Sequence, residues 1–277
     1  VLTSGEAFFY AGRSVRGKTR FEYLTLLDQV QRELRPRTYV EIGVRFGTSL
    51  QLAVPGTTCV GIDPAAEVRY PVPRHTEIFN LKSDDFFATR DLREVLGGRP
   101  VDMAFIDGMH WFEYALRDFA NIEAACSPGS VVFMHDCYPI DAASATRERT
   151  TKLWSGDVWK TTLALRELRP DLEIVTLDAK PTGLAMVTQL DPSSTVLVEN
   201  MAAAIDHYME IPYDEIADTR AEYLNRAQAD WPSVARLLPP PFRATSSTLL
   251  RAGRAFRMPT AAQWRSRTAR RGALSPT

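Results

Sequence analysis

Residues Ala104–Trp111 read "AFIDGMHW". An apolar run stops at Asp107 and Gly108, and His110 follows three residues after the aspartate, with Trp111 next to it. As local structure, this is a buried strand ending in a turn that feeds a helix. As chemistry, it is a carboxylate and an imidazole held at a strand end, where open α/β sheets bind their ligands. What the rest of the chain builds around the stretch decides between the two.

The run belongs to "VDMAFID" (101–107), and similar runs recur as "TYVEIG" (38–43), "TTCVGID" (57–63), "TEIFNL" (76–81), "SVVFMHD" (130–136), "LEIVTL" (172–177) and "GLAMVTQL" (183–190). Helical spacing separates the early ones, at 84–96 and at 112–125, where Phe112, Leu116, Phe119, Ile122 and Ala125 fall on one side. Near-continuous apolar strands alternating with helices predict a parallel sheet covered on both faces. Only "DAKPT" separates the last two strands, too short for a parallel crossover, so that pair is expected to be antiparallel. The expected fold is therefore α/β, a Rossmann-like doubly wound sheet of seven strands, mostly parallel with one antiparallel strand near the end, and helices on both faces.

Around this core (36–192) the pattern places an N-terminal lid and helix (1–35), with Phe8, Phe9 and Tyr10 in the lid and the helix at 20–34. A C-terminal helical appendage (193–241) carries helices at 196–209 and 213–229. An arginine-rich tail (242–277) follows, with a short helix at 247–257. No apolar run approaches the roughly 18 residues of a membrane span. The first residues lack a basic-then-apolar signal pattern, and three cysteines without metal-type spacing suit a reducing compartment, so a cytoplasmic location is expected. The net charge of −1 conceals an asymmetry, because nine arginines and no Lys, Asp or Glu follow position 230. The acidic body argues against a nucleic-acid partner. The basic end suits an anionic membrane surface, an acidic partner, or packing against the body or a second subunit in a homo-oligomer.

After the first strand comes "EIGVRFGTS", with Glu41, Gly43, Gly47 and Ser49. Glycines let the backbone turn sharply and approach a ligand closely. The spacing is Gly-x-x-x-Gly, not the Gly-x-Gly-x-x-Gly of dinucleotide binders, and no Gly-Lys-Ser/Thr follows. A pyrophosphate cradle is disfavoured, and Glu41 repels phosphate while welcoming a cationic ligand. The second strand ends in Asp63, twenty residues after Gly43, where a carboxylate can accept both ribose hydroxyls. Asp84, after the third strand, is placed to meet an adenine edge. Both also read as ordinary turn or N-cap residues.

The fourth strand ends in Asp107 and the fifth in His135–Asp136, and adjacent strand ends share one crevice. Asp107, His110, His135 and Asp136 are thus expected to converge. Two carboxylates and an imidazole can bind Mg²⁺ or Mn²⁺. Such an ion lowers the pKa of a substrate hydroxyl, and a neutral imidazole takes the proton. Tyr138, Trp154 and Trp159 follow within or beside a long segment (137–157) expected to lie over the crevice. Trp159 reads equally as a core residue of "VWKTTLALREL", and Trp111 as a pocket wall.

Over residues 35–190 these features resemble class I S-adenosylmethionine-dependent methyltransferases. The resemblance implies that Gly43 and Gly47 flank the methionine moiety of S-adenosylmethionine, with Glu41, Ser49 and Asp107 beside it, and that Asp63 binds the ribose. "FIDGMHWFEYALRDFANIEAACSPGSVVFMHDCYP" (105–139) further resembles the macrocin O-methyltransferase and cephalosporin-hydroxylase-like branch, of methyltransferase family 24 type. Members methylate hydroxyls of sugars or other natural products. The likeness implies a metal on Asp107 and on the pair 135–136, with His110 as the base. This chain departs from that pattern in carrying His at 135 in place of Glu, which leaves His135 as ligand, outer neighbour or adjunct to the base. The implied acceptor is a small molecule, a carbohydrate hydroxyl. Two rival readings are a non-catalytic S-adenosylmethionine-binding accessory protein and an NAD-dependent oxidoreductase, the latter disfavoured by the glycine spacing.

Overall fold

The computed structural model describes residues 22–239. The lid aromatics Phe8, Phe9 and Tyr10, the arginine-rich tail and the short helix expected in it lie outside the described residues.

Eight strands form one sheet: β1 (Thr38–Ile42), β2 (Thr58–Ile62), β3 (His75–Phe79), β4 (Val101–Ile106), β5 (Cys126–His135), β6 (Glu173–Leu177), β7 (Leu184–Thr188) and β8 (Arg226–Ala227). Their order is β3-β2-β1-β4-β5-β7-β6-β8. β1 pairs in parallel with β2 on one side and β4 on the other, with Val40 opposite Val60 and Ala104. The chain thus winds outward in both directions from the β1–β4 boundary, which is the switch point where such sheets open a ligand crevice. β7 runs antiparallel to β6, as the short "DAKPT" turn requires, and also antiparallel to β5.

Side chains on the central strands alternate between two buried faces. Met103 and Phe105 of β4 and Val131 and Phe133 of β5 join one cluster with Leu26, Leu27, Val30 and Leu34 of helix α1 (Glu22–Leu34). This double burial explains why β4 reads as a continuous apolar run instead of an alternating one. Also packed on β4 and β5 is a layer of helix α4 (Phe112–Ala125). Its Phe112, Leu116, Phe119 and Ile122 are fully buried. Helix α5 (Trp159–Leu168) continues this layer, and Trp159 is a core residue with no exposed surface. Arg169, after α5, forms a buried bidentate pair with Glu123 of α4, a contact whose single-sided loss would strand a charge.

Three expectations are corrected. The sheet has eight strands, not seven. The stretch 213–229 is not one helix but a 3₁₀ turn (Tyr213–Glu215), a four-residue helix α7 (Arg220–Tyr223) and β8. Asn225, at φ +48, breaks the helical path. Thr176 N–H then donates to Asn225 O and Asp178 N–H to Ala227 O, so the open edge of β6 outweighs local helix propensity. The helix expected over 84–96 is divided into α2 (Ser83–Thr89) and α3 (Leu92–Val95), because the Asp91 side chain caps a new helix by accepting from the Arg93 and Glu94 amides. Helix α6 (Val196–Met209) and helix α8 (Trp231–Ala235) complete the described chain. No helix among the described residues is long and apolar enough to cross a membrane.

Candidate active site

The hydrogen-bond ladder continues past the last strand residues. Gly43 N–H donates to Ile62 O (2.9 Å), Asp107 N–H to Ile42 O (2.8 Å) and Asp63 N–H to Phe79 O (3.1 Å). The residues that leave β1, β4 and β2 therefore start in register at one end of the sheet. Gly43 has φ +89, and a Cβ there would lie 2.0 Å from the carbonyl oxygen of Asp107. Only glycine lets the loop 43–49 lie this close to the end of β4.

Beneath the loop Glu41 is fully buried. Its two oxygens accept from Tyr39 Oη (2.7 Å) and Ser49 Oγ (2.8 Å), so Glu41 and Ser49 brace the loop against β1. Burial lifts the Glu41 carboxyl to about 8, with the hydroxyl donors opposing and the Asp107 and Asp63 charges adding to the rise. The folded state then keeps a proton that the unfolded chain releases from about 4.5 upward, so this group's stabilisation is full at low pH and is lost as pH rises to about 8. Glu41→Gln is expected to flatten the fall of Tm between pH 5 and pH 8 measured by scanning calorimetry. An unchanged slope would refute the buried-carboxyl account.

Asp63 is half-buried, and its carboxylate accepts from the amides of Arg45 and Ala65, each at 2.7 Å, tying the glycine loop to the end of β2. Asp84 forms a bidentate pair with Arg117 of α4. Both carboxylates lie where the strand ends place them, and each already has a structural partner.

The second half of the site assembles at the ends of β4 and β5. Asp107, His110 and Asp136 each offer one ligand atom within 4.8 Å of the others. His135 Nδ1 lies 3.2 Å from Asp107 Oδ1 and 3.3 Å from Asp136 Oδ2, so all four expected residues meet. Burial alone would discharge His135, but the Asp136 and Asp107 carboxylates outweigh it and raise the imidazole to about 10. Against the upward push of its own burial, Asp136 is held below the usual carboxylate range by His135 and His110. Asp136 has φ +61, and its Oδ2 faces both imidazoles yet receives no aligned hydrogen bond. Tyr23 of α1 covers His135, with ring centres 4.1 Å apart.

His110 is fixed from the other side by the segment 137–157. Its ring stacks on Trp154 at 4.9 Å and 14°, and Nδ1 lies 3.1 Å from the Trp154 carbonyl oxygen. Nδ1 also lies 3.1 Å from Asp136 Oδ2; carbonyl and carboxylate only accept, so in the neutral ring Nδ1 carries the proton and Nε2 the lone pair. The segment itself is pinned to α4. Asp157 accepts from Phe112 N–H at the start of α4, and Arg147 joins Asp157 to Glu113. Trp111 donates to Arg147 O and lies under its guanidinium, so this residue anchors the segment. Sequence reading missed Asp157 and Arg147 because their partners on α4 are 34 and 45 residues away.

Residues 40–137 match a family model described as a methyltransferase domain. The matched span runs from β1 through both histidine-bearing strand ends. Among solved structures, the chain is similar to the O-methyltransferase TomG from Streptomyces achromogenes in complex with SAM, at 18% identity over 61% of this chain and 80% of that one, with a TM-score of 0.46. It is also similar to an O-methyltransferase from Bacillus cereus in complex with SAH, at 17% identity over 66% and 85%, with a TM-score of 0.44. No curated protein matches the chain.

Proposed function

We propose that this protein transfers the methyl group of S-adenosylmethionine to a hydroxyl of a sugar or glycosylated metabolite, with Mg²⁺ or Mn²⁺ held by Asp107 and Asp136. The observation that carries this reading is the meeting of Asp107, His110 and Asp136 beside the glycine loop, within the span that matches a methyltransferase domain. The narrower likeness to the macrocin branch, and with it the sugar acceptor, rests on "IDGMH" and "HD" at the two strand ends.

The residues suit both groups. Paired carboxylate oxygens fit a hard divalent cation, and the buried Asp136 Oδ2 faces two imidazoles without an aligned hydrogen bond. The loop has no phosphate cradle and is flanked by carboxylates, which fits a sulfonium ligand with a free ribose. When bound, S-adenosylmethionine supplies a methyl group on a positively charged sulfur, and the cation supplies charge that lowers the hydroxyl pKa.

The chain's own side chains supply the rest. His110 Nε2 takes the hydroxyl proton. The Trp154 carbonyl holds the other ring nitrogen in its protonated form, and the stacked indole fixes the plane of the imidazole. His135, turned to both carboxylates, offsets part of their charge. Labelled S-adenosylmethionine offered with a panel of glycosides is expected to label an acceptor in the presence of Mg²⁺ and to leave it unlabelled with a chelator. Binding of the cofactor with no transfer to any acceptor would instead favour a non-catalytic binder.

A further inference from the structure

Asp136 sits under unusual constraint for a residue placed to hold a cation. It is 2% exposed, its backbone is left-handed at φ +61, and its side chain has two oxygens in different situations. Oδ2 faces the imidazoles of His110 and His135. Oδ1 accepts the hydroxyl hydrogen of Thr182, from the turn between β6 and β7. Thr182 is itself 2% exposed, and its carbonyl accepts from Tyr138 N–H at 2.7 Å, so both ends of the threonine are engaged with the strand end that carries Asp136. The turn reaches this far because of its neighbour: Gly183 has φ +79, and a Cβ there would lie 2.3 Å from the Cβ of Tyr138.

We infer that Thr182 is the positioning residue of the cation site: its hydroxyl occupies Asp136 Oδ1 and thereby turns Oδ2, otherwise without an aligned donor, toward the carboxylate of Asp107 with which it would share the cation. This deepens the proposed function and rests on its cation. A carboxylate free to rotate about its last bond presents either oxygen or both. A fixed donor on one oxygen selects a single presentation, and the loss of such an outer partner typically weakens a metal site by about 10–100-fold. The antiparallel β7 thus has a use beyond closing the sheet, since only a strand returning beside β5 brings a turn residue to the carboxyl end of β5.

The test uses the full chain and Mn²⁺ alone, with binding read by calorimetry and by the electron paramagnetic resonance of the free ion. Thr182→Val, similar in shape but without the donor, is expected to weaken Mn²⁺ binding by about 10-fold or more, while Thr182→Ser retains it within about threefold. Melting without metal checks that the variants are folded. If Thr182→Val does not fold, Thr182→Ala removes the hydroxyl without adding a methyl group beside Asp136, and the same comparison is made. Equal binding by wild type and the hydroxyl-free variant overturns the role of Thr182 but leaves the cation site standing. So does a Thr182→Ser variant as weak as Thr182→Val. A wild-type chain that binds no Mn²⁺ overturns both.

Discussion

His110→Ala is expected to lower kcat on a labelled acceptor by about 10²–10⁴-fold and to leave the affinity for S-adenosylhomocysteine within about twofold. The separation follows from where the residue sits. His110 lies beyond the end of β4, stacked on Trp154, while the loop 43–49 is braced through its Ser49 to Glu41 on β1. Removing the imidazole takes away Nε2, the nitrogen left with a lone pair, and leaves the loop's hydrogen bonds in place. Asp107→Ala is expected to match the loss in turnover and also to abolish Mn²⁺ binding, because its carboxylate belongs to the donor set. Single-turnover kinetics paired with calorimetry separate the two variants. Full turnover by His110→Ala would overturn its assignment as the base.

Gly43→Ala is expected to damage fold and site together. A positive φ alone destabilises an alanine by about 1 kcal/mol or somewhat more. The larger effect is the new Cβ, 2.0 Å from Asp107 O, a contact that only a shift of β1 away from β4 can relieve. That shift moves Asp107 relative to the glycine loop, so cofactor affinity and turnover fall along with Tm. Gly56→Ala provides the control, because Gly56 has φ +91 and nothing within 4 Å of its would-be Cβ. The difference in Tm between the two variants isolates the clash from the backbone term. If Gly43→Ala costs no more than Gly56→Ala, the two strand ends are not locked as the structure has them.

The strands and their direction were legible because β1, β4 and β5 are buried on both faces, which leaves continuous apolar runs in the sequence. Asp107, His110, His135 and Asp136 were legible because strand ends in such a sheet share a crevice whatever the loops do. β8 was not: two residues carry no periodicity, and they pair only because β6 offers an open edge. The break at Asp91 was visible in principle, since an aspartate ahead of a short apolar pattern is a capping signal.

The sequence by itself determined the first seven strands, the reversal of β7, and which acidic and imidazole residues leave the sheet at one end, because these depend on local pattern and connection length. The tertiary structure alone decided the roles within that set. Glu41 became a buried brace because Tyr39 and Ser49 close over it, and Asp84 became a partner of Arg117 on α4. His110 received its tautomer from a carbonyl 44 residues away, and Asp136 its orientation from a threonine 46 residues away. Hydrogen-bond geometry of that kind is set by packing between distant segments, and no spacing in a linear chain encodes it.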